Sequence, residues 1–270
     1  MQTIWPLAYI TFTEGVRQRF FYGVCVFSIF LIFFGVSICG LFLRDTLKIL
    51  LDICLAAINL GGLLVPFFLS INLFAGDIEK RTVYTVLSRS ISRNRYILGK
   101  FIGSALITAV IMALLTLATL LAIAIAFLIY PSHIFEKFSI LPILLSTAMA
   151  YLGIQVFNST VFLWCSITTS SFLATLLTIS TYIIGHSVED VVRLISLKIK
   201  GVEIALSTEL TAKLALYVFP NLAAFDVKQR AAHFLMIPPQ ESVFLVVYGL
   251  AYTALTLFLA AYCFRRRDLT

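Results

Sequence analysis

The chain has 270 residues, of which 61% are hydrophobic and only 12% charged, and its mean hydropathy is +1.02. A water-soluble fold needs polar cover over its core, and soluble domains carry about twice this share of charge. The composition therefore excludes soluble enzymes, nucleic-acid-binding modules and disordered chains, and points to an integral membrane protein whose main solvent is the lipid bilayer. The net charge of +7 does not bring nucleic acid back as a partner. In so apolar a chain, basic residues hold loops on the cytoplasmic side. Cys25, Cys39, Cys54, Cys165 and Cys263 all fall in or beside apolar runs with no C-x-x-C spacing. They read as small packing residues, not as disulfides or metal ligands.

Residues 1–19 are mixed in character. Trp5, Leu7, Tyr9, Ile10 and Phe12 precede Glu14, Arg17, Gln18 and Arg19, and Pro6 suits a first helical turn. The segment predicts an interfacial helix on the cytoplasmic leaflet, with Trp5 and Tyr9 at headgroup depth; a flexible terminus is the alternative. Beyond it, stretches free of Asp, Glu, Lys and Arg cover residues 20–43, 53–76, 101–135, 138–188 and 242–264. A spanning helix needs about 20 residues at 1.5 Å each, so all of them qualify. The first lacks a small-residue cleavage pattern and reads as a retained helix, not a signal peptide. Tyr130-Pro131-Ser132-His133 ends the third helix near residue 129. Residues 138–188 hold two helices, with a turn at Ser166-Ile167-Thr168-Thr169-Ser170-Ser171. Six transmembrane helices result. The runs are continuous where barrel strands would alternate, so the expected class is an all-α polytopic bundle.

Orientation follows from Lys and Arg in the loops. Arg17, Arg19, the segment from Lys80 to Lys100, and Arg265, Arg266 and Arg267 fall on one side of a six-helix bundle, while the opposite short loops carry only Arg44, Lys48 and Lys137. Both termini are therefore expected in the cytoplasm.

Two segments between spans have structure of their own. In residues 77–100, Ile78, Val83, Val86 and Leu87 can share a helical face, leaving Glu79, Arg81 and Arg89 for water or a partner. The turn and cap chemistry of Ser88 to Ser92 follows. A solvated basic loop serving only topology fits the same composition. Residues 189–241 lie outside. They hold a weakly amphipathic helix from Glu189 to Lys200 and an uncharged stretch, 214–225, too short to cross the membrane. Pro220-Asn221 breaks that stretch, so a re-entrant or interfacial element is expected. Asp226 with Gln229 has the spacing of a capping box, and Pro238-Pro239 opens the last span.

The chain carries no G-x-x-x-x-G-K-[ST], no H-E-x-x-H and no G-x-S-x-G, so no site for ATP, metal or nucleophilic catalysis is expected, nor any cofactor. His186 and Glu189 share a helical face, a spacing more often met in a polar contact than in a metal site. Acidic residues are missing from the middle of the predicted spans, which argues against a proton- or sodium-coupled carrier. Energy for any transport must come from another subunit.

The segment from Asp77-x-Glu79 through Leu87-Ser88-Arg89-Ser90-Ile91-Ser92-Arg93 to Leu98-Gly99-Lys100 resembles the cytoplasmic loop of ABC-2 type permeases. Phe219-Pro220-Asn221-Leu222-x-x-Phe225-Asp226 and the tail Phe264-Arg265-Arg266-Arg267-Asp268-Leu269 are similar to that family's patterns before and after its last span, and the NosY-like subgroup is the nearest in character. Arg81-Thr82-Val83 departs from the family's Gly-Thr-Leu, and Ser90 stands where its turn often has Pro. The resemblance covers the whole chain in span order. It implies a single transmembrane permease domain over residues 1–270, of the type V exporter kind, in a bacterial inner membrane. It also implies two copies of a cytoplasmic ABC ATPase and a second permease chain as partners. Asp77, Glu79, Arg81, Val83, Val86, Leu87, Arg89 and Arg93 would form the ATPase-coupling element, and Pro220, Asn221, Phe225 and Asp226 the external re-entrant element. A membrane anchor that assembles a complex without transporting anything is the competing reading. An intramembrane enzyme is disfavoured by the missing catalytic pairs.

The topology is testable by cysteine labelling in intact cells, with the native cysteines removed. His133→Cys and Ala205→Cys should react with an impermeant reagent from outside and Ser90→Cys should not. Labelling at 90 would overturn the orientation.

Overall fold

The computed structural model of the protein describes residues 4–41, 46–79, 91–130, 138–196, 206–235 and 238–266. Among them there is no β-strand. Helix α1 (Ile4–Val16) leads into α2 (Arg19–Leu41); α3 (Thr46–Leu64) continues through a π-helical stretch, Val65–Ser70, into α4 (Ile71–Glu79). Then come α5 (Arg93–Ile129), α6 (Ile140–Ile167), α7 (Ser171–Ser196), α8 (Leu206–Val218), a 3₁₀ turn at Ala223–Phe225, the short α9 (Lys228–Ala232) and α10 (Pro239–Arg266).

Five helical stretches are long and apolar enough to cross a bilayer: Leu47–Asp77, Arg93–Ile129, Ile140–Ile167, Ser171–Ile195 and Pro239–Arg266. The sixth is α2. Its 23 residues carry no charge after Arg19, and at 1.5 Å per residue they reach about 35 Å. Helix α1 meets it at a 60° bend, as an interfacial segment joined to a span would. The expected all-α polytopic fold is therefore present, and residues 138–188 divide into α6 and α7 at Thr168–Ser170.

Several boundaries differ from the charge-free runs. The second span begins at Thr46, so Lys48 and Asp52 sit in its first turns. It also contains Pro66, which has no N–H to donate and whose ring crowds the preceding turn. The π-helical widening at Val65–Ser70 accommodates it, and the Ile71 N–H bonds to the Pro66 carbonyl five residues back. The amphipathic helix expected from Glu189 is the continuation of α7, which runs without a break to Ser196. The capping box is absent. Val227 occupies the N-cap of α9 with no side-chain bond, and Asp226 instead binds Lys228 Nζ at 2.6 Å. A lysine two residues away offers Asp226 a full charge, where the cap offers only a backbone dipole.

Helix α6 is the axis of the bundle. Every residue from Gly153 to Phe162 is buried, with α10 packed along one side and α3, α5 and α7 along the others. Buried hydroxyls in this dry interior return their hydrogen to the carbonyl one turn back. Thr108 bonds Ser104, Thr116 bonds Met112 and Thr178 bonds Ala174, at 2.9, 2.7 and 2.7 Å. Such bonds make polar side chains tolerable where water is absent.

Helix α1 is held on α5 by small residues. Leu7, Ala8, Thr11 and Gly15 form its buried face. Opposite them, Gly99-x-x-x-Gly103 opens a flat strip on α5, the spacing that lets two helices approach closely in membranes. A Cβ on Gly99 would lie 2.7 Å from Leu7 Cβ, and one on Gly103 would lie 2.5 Å from Thr11 Cβ and 2.9 Å from the Ala8 carbonyl oxygen. Backbone blocks the second position, so no rotamer change relieves it. Gly103→Val should therefore destabilise the protein by about 1–3 kcal/mol through overpacking, while Gly76→Ala, which would meet nothing within 4 Å, should not. Thermal unfolding of both variants in the same detergent decides the matter; equal melting would refute the close α1–α5 contact.

Candidate functional site

Two places gather polar residues from several helices. The first surrounds the C-terminal end of α4 and the N-terminal end of α5. Lys100 lies two turns into α5 with its side chain 8% exposed, and its Nζ stands 2.7 Å from Asp77 Oδ2 near the end of α4. The Tyr96 hydroxyl donates to the same carboxylate oxygen at 2.7 Å. Glu14 of α1 approaches Lys100 at 3.7 Å; half exposed, it adds little beyond a second counter-charge. The Asp77–Lys100 pair counts for more. Removing one member of a buried ion pair costs about 3–5 kcal/mol, and the partial exposure of Asp77 puts this pair toward the low end.

Above this pair lies an aromatic cluster. Phe74, Tyr96, Phe162 and Phe264 are all but fully buried, with Phe74 within 5.1–6.0 Å of the other three ring centroids. Arg93, the first residue of α5, donates from Nη1 to the carbonyl oxygens of Phe264 and Arg265 at 3.1 and 3.0 Å. Those carbonyls end α10, where the helix dipole favours a cation. The ends of α1, α4, α5 and α10 are thus fastened to one another.

Of the residues assigned to the coupling element, Asp77 and Arg93 take part in this latch. Glu79 is the last residue of α4. Arg81, Val83, Val86, Leu87 and Arg89 lie outside the described residues. Sequence reasoning did not assign Tyr96, Lys100 and Glu14 as partners of Asp77: the first two lie one turn apart on α5, with Lys100 inside the Leu98-Gly99-Lys100 pattern, and Glu14 comes from α1.

The second place is the element around Pro220. It enters the bundle through notches made by glycines: a Cβ on Gly185 of α7 would lie 2.7 Å from the Pro220 carbonyl oxygen, and one on Gly153 of α6 would lie 2.7 Å from Phe225 Cβ. On α10, Gly249 would bring a Cβ 3.2 Å from Phe225 Cζ. Those glycines sit roughly 15–20 Å along their helices from the ends nearer this element, so Phe225 reaches about half the height of the bundle. Phe225 is 2% exposed and stacks on Tyr248. Asn221 fastens the turn. Its backbone N–H donates to the Tyr248 hydroxyl at 3.0 Å, its Nδ2 to Glu189 Oε2 at 2.6 Å, and its Oδ1 accepts from Ala224 N–H at 3.2 Å. Pro220, Asn221, Phe225 and Asp226 are therefore brought together.

Beneath this turn is a half-open cavity of about 210 Å³. Its polar lining is Asn59 of α3, Tyr182 and His186 of α7, and the Asp226–Lys228 pair. Its floor is apolar, from Leu63, Ile154 and Phe157. His186 packs edge-on to Tyr182 with ring centroids 4.6 Å apart. Glu189 is bonded to Asn221, and no group of three or more His, Cys, Asp or Glu converges on a metal position among the described residues.

No curated protein matches this sequence. A family model described as ABC-2 family transporter protein matches residues 5–269, a span that includes the latch, the Pro220 element and every membrane helix. The chain belongs to the ABC-2 family of transporter proteins.

Proposed function

We propose that this chain is the membrane permease of an ATP-driven exporter in a bacterial inner membrane, with both termini in the cytoplasm. Two such chains would work with two copies of a separate cytoplasmic ABC ATPase. Membership in a transporter family across nearly the whole chain, together with the absence of any Walker A sequence, supports a transmembrane subunit that draws its energy from a partner. The latch is the observation that carries the coupling assignment. Residues 80–90 are basic and amphipathic, and the Asp77–Lys100 pair and the Arg93 bonds to α10 fasten both of their flanks to four helix ends. A push on such a segment is delivered to helices instead of being lost in a slack loop. Glu79, Arg81 and Arg89 would face the ATPase groove or its rim, with Val83, Val86 and Leu87 forming the apolar side and Arg93 holding the flank of the element to α10. The cavity under Phe225 would lie along the substrate route.

Charge reversal tests this reading. Losing a partner in a desolvated interfacial ion pair costs about 2–5 kcal/mol, and an exposed pair only about 0–1. Glu79→Arg and Arg89→Glu should each insert normally and yet weaken ATPase co-purification at least tenfold or uncouple ATP hydrolysis from transport. Lys198→Glu, in the segment assigned to the opposite side, should do neither. Unchanged co-purification and coupled activity in both loop variants would reduce residues 80–90 to a topology signal. Native mass spectrometry of the active complex should show two permeases and two ATPases; an active complex with a single permease would contradict the assembly.

A further inference from the structure

The long groove between α2 and α3 is unused by anything described so far. The two helices close at one end, where a Cβ on Gly35 would lie 3.0 Å from Leu50 Cδ1. Toward the α1 end they part. A cavity of about 270 Å³ opens between Gly23 and Phe27 of α2, Leu60 and Leu64 of α3, and Leu115 of α5 behind them, and it is lined by apolar atoms throughout. Gly23 makes this space: a Cβ there would meet nothing within 4 Å. Phe27 and Leu60 are 37% and 53% exposed, so the groove opens outward, to the bilayer. A cavity of about 150 Å³ holds a benzene ring, and this one accommodates a length of acyl chain.

The groove has a charged foot. Arg19, Gly23 and Phe27 recur at every fourth residue and so share one face of α2. Arg19 is exposed and has no ion pair among the described residues. It lies one turn, about 6 Å, from Gly23 toward the membrane surface. The adjoining stretch contributes Arg17, also exposed. An apolar slot with an exposed arginine one turn away on the same helix face matches a phosphodiester carried on an acyl chain.

We propose that this groove is a binding site for one anionic glycerophospholipid of the leaflet next to α1, with its phosphate at Arg19 and an acyl chain lying over Gly23 between Phe27 and Leu60. A bound lipid there would fill the wedge between α2 and α3. The proposal stands on the groove alone and does not depend on the transport reading.

Native mass spectrometry of the full-length protein tests it. The chain would be titrated with phosphatidylglycerol, with phosphatidylcholine of the same acyl chains, and with glycerol 3-phosphate. The wild type should retain one phosphatidylglycerol in preference to phosphatidylcholine, and glycerol 3-phosphate should not bind. Arg19→Glu should weaken phosphatidylglycerol binding about fivefold or more and abolish the preference. Gly23→Leu, whose Cβ would meet nothing within 4 Å, should displace both lipids. Arg266→Glu, a basic residue at the far end of α10, should behave as wild type. The site is refuted if Gly23→Leu binds lipid like the wild type, if the preference survives in Arg19→Glu, or if Arg266→Glu removes it as well. Binding of glycerol 3-phosphate would indicate a phosphate site without a lipid. Loss of self-association in Gly23→Leu, with lipid binding intact, would assign the groove to a second copy of this chain.

Discussion

Lys100 is a cation held almost entirely out of water, and the end of the bundle where α4 stops and α5 begins is organised around that fact. An ammonium group in such a place must be compensated, and the compensation comes from Asp77 and, more weakly, Glu14. These belong to α4 and α1, so neutralising one charge on α5 ties it to α4, with α1 adding a weaker contact. Tyr96 completes the carboxylate's bonding and is itself buried against Phe74 and Phe264. The polar pair and the aromatic cluster depend on each other: the rings exclude the water that would weaken the ion pair, and the ion pair fixes Tyr96 among the rings. The flat Gly99–Gly103 strip brings α1 close enough for Glu14 to take part.

The bundle was largely legible in the sequence because a bilayer imposes one strong rule. Backbone polar groups must be satisfied within the segment, so long uncharged runs become helices. Pro131 and the polar cluster at Ser166–Ser171 marked real ends for the same reason. The rule reads poorly at the margins. A run that stops at its first charge misses Lys48 and Asp52, since helices continue past the hydrocarbon and carry charges in their outer turns. It also separated Glu189–Ser196 from α7, although the helix does not notice the boundary.

The sites were less legible. Asp77, Arg93 and the Pro220–Asp226 turn drew notice through their local pattern, but what they touch comes from distant chain. Nothing in a linear reading connects Gly153, Gly185 and Gly249, three isolated glycines on three helices that together receive Phe225 and Pro220. The Gly99-x-x-x-Gly103 spacing was visible and is the one signal that would have placed α1 on α5. Asp226 shows the opposite failure: a correct capping-box spacing was overruled by a lysine two residues away.

The interior of α6 has a further property that bears on movement. Asn158 donates to the Ser104 hydroxyl and Thr256 to the Ser159 hydroxyl, at 2.8 and 2.6 Å. The Gln155 amide, one turn before these ties on α6, has neither nitrogen nor oxygen bonded. Leaving a buried amide unpaired costs about 1–3 kcal/mol relative to a satisfied one. Helix α10 runs past the same region. Arg93 holds its last carbonyls at one end, and Tyr248 and Gly249 hold Asn221 and Phe225 farther along. A displacement of the latched end of α10 must therefore be absorbed either by bending the helix or by repacking at Phe225 and the seam beside Gln155. A bend strains the backbone bonds of α10, whereas a shift at the seam breaks the Thr256–Ser159 bond that ties α10 to α6, so the two routes load different bonds of the same helix.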